Sequence, residues 1–235
     1  MQLKWFILVL FLFASLSSQA LTFGQAKAQL KNLYKAHPVS FYCGCDINWE
    51  SNKKLVPGIE SCGYLPRNER TRKGKVNVRA KRIEWEHVVP AWEFGHQLQC
   101  WQKGKRKYCS KNSKVFKSME GDLHNLVPAI GEVNADRSNF KFNMIEGEKR
   151  VYGRCDAEVN FKLKIFEPSP KVQGNIARTY FYFEKEYGLR ISKKQRKLFN
   201  AWDKLDPVDK SECDIHLWKA KVQGNDNTFI NKSCN

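Results

Sequence analysis

The chain has 235 residues, a formal net charge of +17, 42% hydrophobic residues and eight cysteines. It is long enough to bury a substantial core as one domain, and no Gly/Ser/Pro-rich linker or internal repeat divides it. Beyond the first twenty residues no apolar run approaches the roughly 20 residues that a helical membrane span needs, which excludes a membrane-spanning helix there.

The elements follow in chain order. Met1 to Ala20 carries Lys4, an apolar run from Trp5 to Phe13 and a small, polar end, the pattern of a cleaved secretory leader. Residues 21–235 are then an exported mature domain, and removing Lys4 leaves 40 basic against 24 acidic side chains, 40 − 24 = +16. Thr22-x-x-Gln25 forms a capping box for a helix that places Ala26, Leu30, Leu33 and Tyr34 on one face and stops at Pro38. Phe41 to Trp49 and Arg79 to Glu86 read as short strands, and Gly131 to Arg137 as a short helix. Val159, Phe161, Leu163 and Ile165 alternate as in a strand. Pro168 to Tyr187 reads as a helix closed by Gly188. Ser192-x-x-Gln195 caps another with Leu198, Phe199 and Trp202 inward, and Pro207 to Gln223 forms a third, ended by Gly224. The fold class is α+β: a mixed single domain with short sheets and a helical C-terminal half.

All eight cysteines follow the leader, and an even number in an exported chain points to as many as four disulfides. No Cys-x-x-Cys pair is present for zinc; Cys100 and Cys109, flanking a short Gly-containing turn, are the easiest local pair. The positive charge is clustered. Residues 67–82 hold eight basic side chains against Glu69, and residues 101–119 hold seven with no acid. Such clusters suit a polyanion laid across the surface between them, and they equally suit a protein that only adheres to acidic surfaces.

Both clusters flank Ile83 to Pro90, IEWEHVVP, which sets Glu86 beside His87. A second segment, Asp122 to Asn139, adds His124, Asn125 and Asn134. Carboxylate and carboxamide oxygens hold hard cations, and an imidazole can be a neutral base near pH 7, so together they form a minimal kit for phosphodiester hydrolysis. Neighbouring strand residues point to opposite faces, so Glu86 and His87 can share a site only where the strand ends, as Val88-Val89-Pro90 implies. His96 and His124 read as structural or supporting residues. With no His/Cys/carboxylate ligand triad for zinc, the remaining rival is a non-catalytic, disulfide-stabilised polyanion binder.

From about Phe41 to the C-terminus the chain resembles the bacterial endonuclease I family, in FYCGC, SCGY, RIEWEHVVPAWEFGHQ, QCW, GDLHNLVPAIGEVNADRSNF, GNIARTYFY, LFNAW and KVQGN. That family is exported, periplasmic or secreted, and belongs to the ββα-metal (His-Me finger) group related to HNH nucleases. The resemblance implies a ββα-metal core with His87 as general base and Arg106 as the phosphate-binding arginine. It makes Glu86 and Asn134 the metal ligands and Asn125 the brace of the loop carrying the histidine. It also implies Mg2+, with Mn2+ or Ca2+ as alternatives, and a monomer cutting double- and single-stranded DNA and RNA. The chain has no helix-turn-helix spacing, zinc finger or RNP pattern, so cutting without sequence preference is expected.

Overall fold

The computed structural model describes residues 20–49, 55–147 and 149–234. The expected leader, apart from Ala20, lies outside the described residues. The chain opens with α1 (Phe23–Ala36), capped by Thr22 and Gln25 reciprocally, with Ala26, Leu30, Leu33 and Tyr34 buried. These four positions form one apolar face, which meets Leu123 and Leu126 in a small core of its own.

The strand expected from Phe41 is shorter than the sequence implies. Phe41–Cys43 form a turn, Gly44 has φ +63°, and β1 (Asp46–Trp49) pairs antiparallel with β2 (Leu55–Gly58), which leads into the single turn α2 (Ile59–Cys62). The turn is held because Cys43 and Cys45 leave in different directions, to Cys155 and Cys62. The expected strand at Arg79 also starts late. Residues Val78–Lys81 make a 3-10 turn, and β3 covers Ile83–His87.

The strand β3 pairs antiparallel with β4 (Leu126–Ile130), placing Glu86 opposite Val127 and His87 opposite Leu126. Between them run α3 (Ala91–Gly95), α4 (Gln99–Asn112) and α5 (Lys114–Glu120). Gly104 and Lys105 break the helical path of α4, and the returning chain allows the Cys100–Cys109 bridge. After β4 the chain turns at once into α6 (Gly131–Arg137). Strand, connection, strand and helix therefore follow the order expected around the site.

A small sheet has β7 (Ile165–Glu167) between β5 (Lys141–Phe142), parallel to it, and β6 (Glu158–Asn160), antiparallel. The alternation from Val159 to Ile165 is thus a hairpin, not one strand. Residues 161–164 turn, Asn160 Oδ1 accepts the Leu163 N–H at 2.9 Å, and Lys164 adopts φ +54°. Phe161 and Leu163 are consequently exposed.

The C-terminal half is helical: α7 (Gln173–Tyr187), α8 (Lys193–Leu205), α9 (Lys210–Gln223) and α10 (Thr228–Asn231). Gly188 and Gly224 close α7 and α9 in the left-handed conformation, while Ser192 and Asp209 cap α8 and α9. Residues of α7 fill the main core with Phe142, Phe166, Phe199 and Trp202, making this a mixed α+β domain. Cys213–Cys234 completes four disulfides. Among the described residues, no helix is long and apolar enough to cross a membrane.

Candidate active site

Glu86 and His87 occupy the last two positions of β3, and the two residues are 4% and 5% exposed. Pleating sends them to different partners. Glu86 Oε1 accepts from the Tyr42 hydroxyl at 3.0 Å and from Arg137 Nη1 at 3.1 Å. Arg137, fully buried at the end of α6, also donates to the carbonyls of His87 and Val88, at 3.1 and 2.6 Å. It ties the strand end to the helix. Burial pushes the Glu86 carboxyl up to about 7, although Arg137 and the Tyr42 hydroxyl favour its anion.

The His87 ring rests against Phe23 at 4.9 Å between centroids, and its Nε2 lies 2.9 Å from the carbonyl oxygen of Glu120. A carbonyl only accepts, so Nε2 carries the hydrogen and Nδ1 keeps its lone pair. Burial, reinforced by the charge of Arg106, lowers the imidazole pKa to about 3. The ring is neutral over the ordinary range.

Arg106 follows the break in α4. Its Nε donates to Glu120 Oε1 at 2.7 Å, and its guanidinium lies 5.3 Å over the Phe23 ring. With Nε committed and the side chain 45% exposed, its terminal nitrogens can meet a substrate. Asn134, halfway along α6, donates Nδ2 to Glu84 Oε2 at 3.3 Å, so its amide oxygen is the end turned away from that carboxylate.

Four of the six expected site residues, Glu86, His87, Arg106 and Asn134, line one pocket of about 250 Å3 with Phe23, Arg79 and Glu84. Asn125 stands behind it, fully buried. Its amide donates to the Val89 carbonyl at 2.9 Å and accepts the Val89 N–H at 2.7 Å, gripping the chain just after His87. His124 does not join them. It lines a separate cleft of about 630 Å3 with Tyr42, His216 and Lys219, its Nε2 3.2 Å from the Asn225 carbonyl.

The donor set fits a hard divalent cation: one carboxylate and one carboxamide oxygen at one pocket, with water and phosphate left to complete the shell, as magnesium prefers. Among the described residues, no group of three or more His, Cys, Asp or Glu is arranged to hold a metal.

Sequence reading missed Phe23, Glu84, Glu120 and Arg137. Glu84 carried a local signal, standing two residues before Glu86 and so on the same strand face. Arg137 is three residues beyond Asn134 on the same short helix, but nothing local marks it as buried. The basic clusters divide: Arg67 pairs with Asp136 and Arg79 and Arg82 pair with Glu84, whereas Arg72, Lys73, Lys75, Lys103 and Lys107 are exposed.

An antiparallel hairpin followed directly by a helix, enclosing an imidazole, a carboxylate and a carboxamide, is the ββα class of scaffold. The family model described as Endonuclease I matches residues 22–234, and the chain belongs to that family. An extracellular deoxyribonuclease of Aeromonas hydrophila is 55% identical over 215 residues, 91% of this chain and 89% of that one. A periplasmic deoxyribonuclease of the same species is 52% identical over 219 residues, 93% and 89% of the two chains. Endonuclease-1 of Buchnera aphidicola subsp. Acyrthosiphon pisum is 49% identical over 212 residues, 90% and 81%. The chain is an exported nuclease of this family.

Proposed function

We propose that the protein is a metal-dependent endonuclease that hydrolyses phosphodiesters of double- and single-stranded DNA, and of RNA, without sequence preference, leaving 5′ phosphates. The observation that carries this reading is the single pocket lined by Glu86, His87, Arg106 and Asn134. DNA as substrate follows the names of the deoxyribonuclease relatives. RNA belongs to the same reading because the pocket's charged groups address the phosphodiester, which the two polymers share. On this reading the protein acts as a monomer.

In this reading His87 Nδ1 takes a proton from a water aligned with the departing 3′ oxygen, while Nε2–H stays on the Glu120 carbonyl. Arg106 offsets charge that develops on the nonbridging oxygens. Glu86 and Asn134 would hold Mg2+, or Mn2+ or Ca2+ in its place, which supplies Lewis-acid stabilisation of the phosphoryl and leaving oxygens. Arg137 and Tyr42 hold Glu86 at the pocket wall. A general base contributes about 10² to 10⁴ in rate, so the cation and Arg106 must supply much of the rest.

The test is plasmid incubated with the oxidised protein and Mg2+, with and without EDTA. Degradation that the chelator stops is the expected result. Intact plasmid that shifts on a gel with Mg2+ present overturns the enzymatic reading in favour of a non-catalytic polyanion binder.

A further inference from the structure

Glu84 has no part in the chemistry set out above, yet it is the most heavily bonded carboxylate of the pocket wall. Its Oε1 accepts from Arg79 Nε at 3.0 Å and from Arg82 Nε and Nη2 at 2.8 and 2.5 Å. Its Oε2 accepts from Arg79 Nη2 at 2.5 Å and from Asn134 Nδ2 at 3.3 Å. The side chain is 17% exposed, and α6 is seated directly on it. A Cβ on Gly131 would lie 2.8 Å from the Glu84 carboxyl carbon and 2.7 Å from the Arg79 carbonyl oxygen, so the first residue of α6 has to be glycine for Asn134 to come this close.

The two ends of a carboxamide have nearly the same shape and opposite hydrogen-bonding roles. An ionised carboxylate accepts and never donates, so it binds the –NH2 end of Asn134 and rejects the oxygen end. That fixes which end is left for a cation. Two arginines neutralise Glu84 and occupy both its oxygens, which makes it an orienting group and not a further ligand.

We propose that Glu84 is a positioning residue that sets the divalent-cation affinity of this site by holding the Asn134 amide with its oxygen free for the metal. The proposal rests on the reading that Glu86 and Asn134 hold the cation. Groups that orient metal ligands from behind typically contribute 10- to 100-fold in metal affinity, which sets the size of the effect.

The probe is Mn2+ alone, its binding followed by electron paramagnetic resonance without any nucleic acid. Glu84→Ala should weaken Mn2+ at least about tenfold. Glu84→Asp, which keeps the charge beside the arginines but withdraws the carboxylate from Asn134, should weaken it comparably and guards against a fold lost with the arginine pairs. Glu84→Gln can keep an oxygen on the arginines, which place three N–H donors on Oε1, only by turning its –NH2 toward Asn134, so it should also weaken Mn2+ at least about tenfold. In an Asn134→Ala background, Glu84→Ala should add nothing, because coupled residues are not additive. Unchanged Mn2+ affinity in folded Glu84→Ala or Glu84→Asp overturns the proposal. So does an equal loss with and without Asn134, which would mean that Glu84 acts only through its charge. If the parent binds no Mn2+, or if Asn134→Ala binds it as the parent does, the cation reading itself fails and takes this inference with it.

Discussion

Glu120 positions His87 and Arg106 together: its backbone carbonyl stands 2.9 Å from His87 Nε2, and its carboxylate accepts Arg106 Nε at 2.7 Å. One residue at the end of α5 thereby fixes which imidazole nitrogen is free and where the arginine sits. If Nδ1 is the base, His87→Ala should lose at least about 10² in kcat. DNA affinity should stay within a few fold if binding rests, as proposed, on the basic surface and Arg106. Single-turnover cleavage and gel-shift titration check the two halves, and cutting at the parental rate by this variant removes the histidine from the mechanism.

The acid limb of activity should belong to Glu86 and not to His87. The imidazole, held down to about 3 by burial and Arg106, is already neutral wherever the enzyme is assayed. The Glu86 carboxyl, pushed up to about 7 by burial, must lose its proton before it can hold a cation. Proton and metal then compete, so the limb should lie near pH 7 at low Mg2+ and move to lower pH as Mg2+ rises. A limb that stays put across a hundredfold range of Mg2+ contradicts this assignment. The signs for stability without metal are opposite. Glu86 is raised from 4.5 to about 7, so its contribution is present below about 4.5 and is lost as pH rises through 7. His87 is lowered from 6.5 to about 3, so its contribution is present above 6.5 and is lost as pH falls toward 3.

Features encoded within a few residues were legible in the sequence. The capping box at Thr22 and Gln25, the Ser192 cap and the left-handed glycines after α7 and α9 each carry their partner locally. The Glu86–His87 pair and Asn134 were legible because strand end and short helix each have a signature. What failed depends on distant chain. Tyr42 and Arg137 are 44 and 51 residues from the Glu86 that they hold. The Phe41 strand gives way to a turn pinned by disulfides, one of them spanning 112 residues. His124 and Asn125 are neighbours in one 3-10 turn, yet their side chains reach different partners, the Asn225 and Val89 carbonyls, which adjacency in sequence does not foretell. Alternation from Val159 to Ile165 cannot by itself distinguish one strand from two joined by a turn.

Asn125 makes a sharper stability prediction than any residue of the pocket. Asn125→Ala leaves the Val89 N–H and carbonyl without their buried partner, at about 1 to 3 kcal/mol for each group left unsatisfied. Asn125→Asp keeps an acceptor for the N–H but loses the donor to the carbonyl and buries a charge, so it should destabilise at least as much. Urea unfolding measures both. Because Val89 is two residues from His87, kcat should fall in each variant under conditions where the protein remains folded. Full activity in folded Asn125→Ala would show that the loop needs no brace.

The four disulfides should differ in worth according to the chain each closes. Cys43–Cys155 spans 112 residues and Cys100–Cys109 only 9, whereas Cys45–Cys62 and Cys213–Cys234 span 17 and 21. Chain entropy in the unfolded state gives about 4.7 kcal/mol for a loop near 100 residues and about 2.5 for one of nine. Removing the first bridge by paired Cys→Ala substitution should therefore lower the urea midpoint most, and removing Cys100–Cys109 least. Cys43 also adjoins Tyr42, whose hydroxyl reaches Glu86, so losing the Cys43–Cys155 bridge should weaken Mn2+ binding before the fold is lost. Equal midpoints for the two paired variants would rule out loop length as the source of the difference, and parental Mn2+ affinity without the long bridge would show that Tyr42 is held by its buried neighbours alone.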